Sequence, residues 1–183
     1  NDDEALSTSE ETPVTSGNLL ANDTDVDGDT LSITNVTATS GQVASNGDGT
    51  VTYTPNTDFA GSDTITVTVS DGNGGTDTST VAVTVTNVND APVASDDTTL
   101  NTNQDTAATT VNVLSNDTDA DNDILTVTAA TALNGTVTIN AGGTLTYTPD
   151  AGYVGSDTIT YTVSDGNGGS DTGSVPVNVA NVN

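Results

Sequence analysis

Valine and isoleucine alternate with threonine along much of this chain. In Thr64-Ile65-Thr66-Val67-Thr68-Val69 an extended backbone puts Ile65, Val67 and Val69 on one face and the threonines on the other. Val81, Val83 and Val85 do the same in the next run. Further along, Ile159, Tyr161 and Val163 and then Val175, Val177 and Val179 repeat both patterns. Branched Cβ atoms suit a pleated surface, and the spacing of helices is nearly absent. The pattern predicts strands over residues 4–9, 15–21, 30–37, 42–46, 50–54, 63–70 and 78–87, separated by Gly, Asn and Asp turns. Asn46-Gly47-Asp48-Gly49 reads as a hairpin turn. Seven short strands with such turns predict a β-sandwich. Pro176 falls in the seventh strand of the second copy, where the first has Ala82, and implies an edge or non-bonded position.

The whole pattern occurs twice, 94 residues apart. Asn22-Asp23-Thr24-Asp25 returns as Asn116-Asp117-Thr118-Asp119, and Thr52-Tyr53-Thr54-Pro55 as Thr146-Tyr147-Thr148-Pro149. Residues 2–89 align with 96–183 without a gap, with 49 of 88 pairs identical. A period of domain length means like modules in series. The expected organisation is one sandwich over 1–89, a linker over 90–95 and a second sandwich over 96–183. Residues Asp90-Ala91-Pro92-Val93-Ala94 have no counterpart ahead of Asn1, so the chain reads as a segment of a longer array.

Charge narrows the functions. There are 26 acidic residues, no Lys, Arg or His, and a net charge of −26. Nothing can neutralise a phosphate backbone or an anionic lipid surface, which excludes nucleic acid and argues against membrane association. No stretch is apolar enough for a membrane span, so insertion is not expected. Every carboxylate must be solvated, hydrogen-bonded or paired with a cation from solution. Domains of this size have thin cores, and aromatic residues are only 3% of the chain. A bound divalent cation is the expected extra stabiliser. Cysteine is absent, so no disulfide contributes.

Strand order places the acids. In an up-and-down count the second–third, fourth–fifth and sixth–seventh connections share one pole. Asp23, Asp25, Asp27, Asp29, Asp71 and Asp77 therefore lie together. Glu10, Glu11 and Asp58 share the other pole with Asn87-Val88-Asn89-Asp90. End-to-end stacking would bring acid against acid, which favours a cation between. Asp23-Thr24-Asp25-Val26-Asp27-Gly28-Asp29 also looks like half of a calcium loop, with alternate acids on a tight turn. The EF-hand signature is not met, since no helix precedes it and no Glu closes it. The second copy has Asn122 in place of Gly28, and both tolerate left-handed backbone.

Glu10-Glu11-Thr12-Pro13-Val14, the Asn22–Leu31 aspartate loop, Ser70-Asp71-Gly72-Asn73-Gly74-Gly75 and Asn87-Val88-Asn89-Asp90-Ala91-Pro92 carry a family resemblance. The chain resembles the cadherin-like, Ig-like tandem repeats of large secreted RTX-type bacterial adhesins. The resemblance implies an all-β chain of two seven-stranded Ig/cadherin-like sandwiches end to end, with Ca²⁺ at the junction. Carried over by residue, it implies ligands Glu10 or Glu11, Asp58, Asn89 and Asp90 from one side and Asp119, Asp121 and Asp165 from the other. Asp25, Asp27 and Asp71 are the equivalent acids of the first copy. The second copy has Gln104-Asp105 for Glu10-Glu11 and Gly152 for Asp58, which implies a weaker exit site.

Catalysis has little to work with: there is no nitrogen base and no thiol, and dense acid pairs all fall in turns. Tyr53, Phe59, Tyr147 and Tyr153 read as core or loop plugs. The expected role is non-enzymatic: extender repeats of a giant extracellular surface protein, rigidified by Ca²⁺, with neighbouring repeats as partners. Alternatives are a subunit of an extracellular filament, contacting like chains, and a carbohydrate- or protein-binding module.

Overall fold

The computed structural model describes residues 4–182. Residues 1–3 of the first expected sandwich, and Asn183 of the second, lie outside the described residues. The chain divides into two compact units, Asn1–Val88 and Asn89–Asn183. The described residues form fourteen strands and no helix. In the first unit these are β1 (Leu6–Ser9), β2 (Val14–Thr15), β3 (Ser32–Thr37), β4 (Gly41–Ser45), β5 (Val51–Pro55), β6 (Gly61–Ser70) and β7 (Thr76–Thr86). The second unit repeats them as β8 (Leu100–Asn103), β9 (Ala108–Thr109), β10 (Thr126–Thr131), β11 (Gly135–Ile139), β12 (Leu145–Pro149), β13 (Gly155–Ser164) and β14 (Ser170–Ala180).

Each unit is a sandwich of a four-stranded and a three-stranded sheet, ordered β1-β7-β6-β3 and β2-β5-β4 in the first. The second has the same order, β8-β14-β13-β10 and β9-β12-β11. Pairing is antiparallel except that the first strand runs parallel to the last, with Leu6 opposite Val83 and Leu100 opposite Val177. The alternating valines face inward as the pattern requires. Ile65, Val67, Val81 and Val83 are buried in one core, and Ile159, Tyr161, Val175 and Val177 in the other.

One predicted strand is corrected. The second strand, read over 15–21, is only Val14–Thr15. Beyond it the backbone turns on its own side chains. The Ser16 hydroxyl accepts the Val51 N–H at 3.0 Å, and Asn18 Oδ1 accepts the Leu20 N–H at 3.0 Å. The Asn18 bond is local and competes with a ladder, while the Ser16 hydroxyl takes a β5 N–H with its side chain. Leu19 still reaches the core, because the turn and not a strand delivers it.

The two cores are variations on one packing. Leu19 and Val51 in the first unit become Val113 and Leu145 in the second, all buried, so large and small aliphatics trade places and volume is kept. Val67 faces Ser79 across β6 and β7; the second unit has Tyr161 opposite Gly173. A Cβ on Gly173 would lie 2.4 Å from the Tyr161 hydroxyl, so the larger ring needs the glycine. Asp63 is 7% exposed and holds the unit together as a polar staple. It accepts N–H bonds from Thr39, Ser40 and Thr64 and the Tyr53 hydroxyl proton at 2.9 Å. Burial alone would raise its pKa, but these donors outweigh it and hold the carboxyl below its ordinary value. Asp157 repeats the arrangement with Leu133, Asn134, Thr158 and Tyr147.

Pro176 sits where β14 lacks a ladder partner on its outer flank. Ser174, of the same parity, gives its N–H there to Asp96 Oδ1, and pairing with β8 resumes only at Val177. A missing N–H at 176 therefore costs no strand bond.

Candidate metal-binding poles

In the first unit the β2–β3, β4–β5 and β6–β7 connections meet at one pole. Leu19 N–H bonds to Gly49 O at 2.9 Å, and Asn73 Nδ2 to Asp29 Oδ2 at 2.8 Å. Asp25 organises the first loop by accepting the N–H groups of Asp27 (2.9 Å) and Asp29 (3.1 Å) on Oδ1. Gly28 turns the chain with φ 78°. Asp71 similarly accepts from Asn73 and Gly75 at 2.8 and 2.9 Å. The result brings carboxylate oxygens of Asp25, Asp29 and Asp71 within 4.8 Å of one another. Asp27 stays exposed. A groove of about 400 Å³ runs beside this cluster, lined by Asp23, Asp25, Leu31, Asp71 and Asp77 among others.

The second unit builds the same loop with Asn122 at φ 61° in the glycine's role. Here Asp119, Asp121 and Asp123 bring oxygens within 4.8 Å of one another. Asp119 Oδ1 accepts the Asp123 N–H at 3.1 Å, while its Oδ2 is buried with no hydrogen-bond partner. An ionised oxygen taken from water without a donor is costly, and a cation is the natural compensation. Asp165 is only 5% exposed. It accepts the Asn89 amide at 2.7 Å and the N–H groups of Asn167, Gly168 and Gly169. The Asn89 bond, followed by the backbone bonds, outweighs burial and holds its pKa below the ordinary value.

Residues 89–97 form a strap over this pole. Asp90 N–H reaches Asp121 Oδ2 at 2.8 Å, and Val93 exchanges backbone bonds with Thr118 at 2.8 and 3.1 Å. Ala94 N–H bonds to Asp171 and Ser95 N–H to Asp117, both at 2.9 Å. Ala91 passes so close to Gly169 that an added Cβ would sit 2.8 Å from its Cα. Burial under the strap raises the pKa of Asp117, with the Asp171 charge adding to it. Asp97 is raised too, by burial first and then by Asp117 and Asp96, against a lowering bond to Tyr161.

The other pole of the first unit holds Glu10, 3% exposed, whose carboxylate accepts the Val88 N–H. Glu11 and Asp58 adopt left-handed backbone, φ 57° and 55°, and bring oxygens within 4.8 Å. Left-handed non-glycine residues are uncommon, and here they aim two acids together. The second unit keeps the left-handed turns at Asp105 and Gly152 but has one acid there, and Asp105 Oδ1 accepts the Gly152 N–H at 2.8 Å.

Asp29 and Asp123, which the ligand set implied by the resemblance leaves out, are members of these clusters. Their signal was the fourth acid of the Asp-x-Asp-x-Asp-x-Asp run: a turn that closes on its second aspartate places the residue four later beside it. All of these donors are oxygens, several of them anionic, a set that suits a hard cation such as Ca²⁺ and not a thiophilic metal.

Residues 1–86 match the model of the cadherin-like domain, and residues 89–178 that of the bacterial Ig domain. The chain is two cadherin/Ig-like domains in tandem. Three repeats of human CDH23 (EC21–23) superpose with a TM-score of 0.54 at 18% identity, covering 97% of this chain and 72% of that one. Repeats EC1–2 of human mucin-like protocadherin give 0.51 at 18% identity, covering 100% and 97%. These similarities show the fold. An endo-fucoidan hydrolase of glycoside hydrolase family 107 shares 24% identity at a TM-score of 0.41, and this chain spans 28% of its length. No curated protein matches the sequence. Cadherin-like domains are extracellular modules that commonly bind Ca²⁺, and such domains are typically structural and not enzymatic. No helix of the described residues is long and apolar enough to cross a membrane.

Proposed function

We propose that the two cadherin/Ig-like domains are extender repeats of a large extracellular bacterial adhesin or surface protein, made rigid by Ca²⁺ and without enzymatic activity. One observation carries the reading most. The residues that leave the first domain, Asn89 and Asp90, are themselves bonded into the aspartates of the second, at Asp165 and Asp121. A cation held by Asp119, Asp121 and Asp123 therefore acts on residues that also set the course of the chain between domains. The reading assigns Glu10, Glu11 and Asp58 to the same ion sites from the first domain's side. Neighbouring repeats are the partners, and a secreted or surface location follows from the role.

Thermal unfolding in EDTA and across a calcium titration to about 10 mM tests it. Extracellular modules bind Ca²⁺ at roughly 10⁻⁴–10⁻³ M, so the folded state should gain about 1.5–3 kcal/mol at the top of the titration. The maximum dimension from small-angle scattering should rise or sharpen with calcium. Flat responses in both would reduce the aspartate loops to solvated turns.

A further inference from the structure

The second domain carries exposed apolar side chains where the first has polar ones. Ile124 and Leu133 are each 86% exposed and Ile139 is 40% exposed, against Thr30, Thr39 and Ser45 at the equivalent positions. In a chain of net charge −26, residues 124–149 hold no charged side chain. They include β10 and β11, the edge strands of the two sheets. A groove of about 360 Å³ opens beside these strands, lined by Leu114, Leu125, Val127 and Ile139. Asn140 N–H bonds to Thr144 O at 2.9 Å, so strand alternation turns the N–H and C=O groups of Val137 and Ile139 outward, away from β12. Such an edge is a template for another strand unless a charge or a proline guards it. Gly135-Thr136-Val137-Thr138-Ile139 has neither.

We infer that this edge binds a second copy of the chain, by antiparallel pairing of β11 with the β11 of the other copy. Full overlap of the strand sets Val137 opposite Val137, Thr136 opposite Thr138 and Gly135 opposite Ile139 about a two-fold axis. The apolar features lie at opposite ends of the strand. Leu133 comes just before β11, and the groove opens at Ile139, Asn140 and Gly142, at its end and just after. The two-fold therefore brings Leu133 of each copy alongside the groove of the other. Charge selects the same occupant. Two chains of net charge −26 repel wherever their acids meet, and a cationic partner is drawn to the aspartate poles. An uncharged apolar edge suits a partner that presents the same. The first domain is less fit for such pairing: β4 offers Gln42, Ala44 and Ser45, Thr39 stands for Leu133, and Asp48 charges the adjoining turn. The inference goes beyond the extender role and does not rest on calcium.

Sedimentation equilibrium of the whole chain in EDTA, at low and high NaCl, tests it. The mass should rise with concentration from one chain towards two. It should do so more readily at high salt, which screens the acids and leaves apolar contact intact. Thr136→Asp with Thr138→Asp sets like charges opposite one another across the pair and should weaken association about tenfold or more. Thr136→Lys with Thr138→Asp sets opposite charges there and should restore it. Leu133→Thr, which installs the first domain's residue, should weaken it severalfold. Gln42→Asp with Ala44→Asp, the matching change in the first domain, should leave it unchanged. Residues 42, 44, 136 and 138 are all exposed, so these variants should fold, and thermal melts check that. Amide exchange at Val137 and Ile139 should slow as the chain is concentrated. A single-chain mass throughout, or a dimer indifferent to residues 133, 136 and 138, would overturn the pairing. So would a dimer lost through residues 42 and 44, or one that the charge swap fails to restore. Because EDTA removes any ion, each result leaves the calcium test of the extender role independent.

Discussion

The two aspartate poles carry nearly the same residues in different settings. Asp23, Asp25, Asp71 and Asp77 border an open groove in the first domain. Their counterparts Asp117, Asp119, Asp165 and Asp171 lie under the strap of residues 89–97, and three of these four receive N–H groups or an amide from it. The consequence is electrostatic. Among the described residues, buried carboxylate oxygens without partners occur at Asp97, Asp117 and Asp119 of the second domain. A turn of solvated acids becomes a site with a demand for a cation, or a proton, only when backbone from outside the turn covers it.

The largest expected effect probes what the domains share. Asp63→Ala leaves the N–H groups of Thr39 and Ser40 and the Tyr53 hydroxyl without their acceptor, at a cost of roughly 2–4 kcal/mol. Asp157→Ala should cost the second domain the same, read by domain-resolved hydrogen exchange under denaturant. A loss confined to one domain would break the symmetry of the staple.

Val93→Pro removes the N–H given to Thr118 O and disturbs the return bond. Exchange protection in the second domain should fall by about 1–3 kcal/mol, with the first unchanged. An equal fall in both would mean the strap does not belong to the second domain's stability.

Gly173→Ser should destabilise the second domain by about 1–3 kcal/mol, because its Cβ meets the Tyr161 hydroxyl. Tyr161→Val, which restores the Val67–Ser79 pairing of the first domain, should recover most of that loss in a double-mutant cycle. Additive losses would show that the ring and the glycine are not coupled.

The smallest effect is pH-dependent and has opposite signs. Asp97 and Asp117 have folded pKa values raised above the unfolded ones, so their penalty is present at neutral pH and disappears as pH falls below about 4. In EDTA the second domain should therefore gain stability on mild acidification, and Asp97→Asn should flatten that gain. Asp63 and Asp157 have lowered values; their contribution holds above about pH 4 and is lost as pH falls through the folded value. Acid unfolding curves of the wild type and Asp97→Asn that superpose would remove the difference between the poles.

Most of the fold was legible in the chain. Period-two valines marked β6, β7, β13 and β14, and the repeat offset marked the tandem. The strand of two residues at Val14–Thr15 was not, because the Ser16 hydroxyl takes the Val51 N–H and Asn18 bonds locally to Leu20, in ways that strand propensity does not register. The aspartate loops were legible as loops, but the membership of Asp29 over Asp27 depended on how the turn closes. The two polar staples at Asp63 and Asp157 gave no signal, since an aspartate in a Ser-Asp-Thr run looks like any exposed one.

The sequence by itself determined the all-β class, the two modules and the excess of acids without a single basic partner, because periodicity, repetition and charge are properties of the chain read in order. Which acids share a centre, which lie beneath backbone, and which way the first strand runs beside the last were decided only by the tertiary structure. Those depend on residues as far apart as Asn89 and Asp165, or Leu6 and Val83, and distance along the chain carries no record of distance in space.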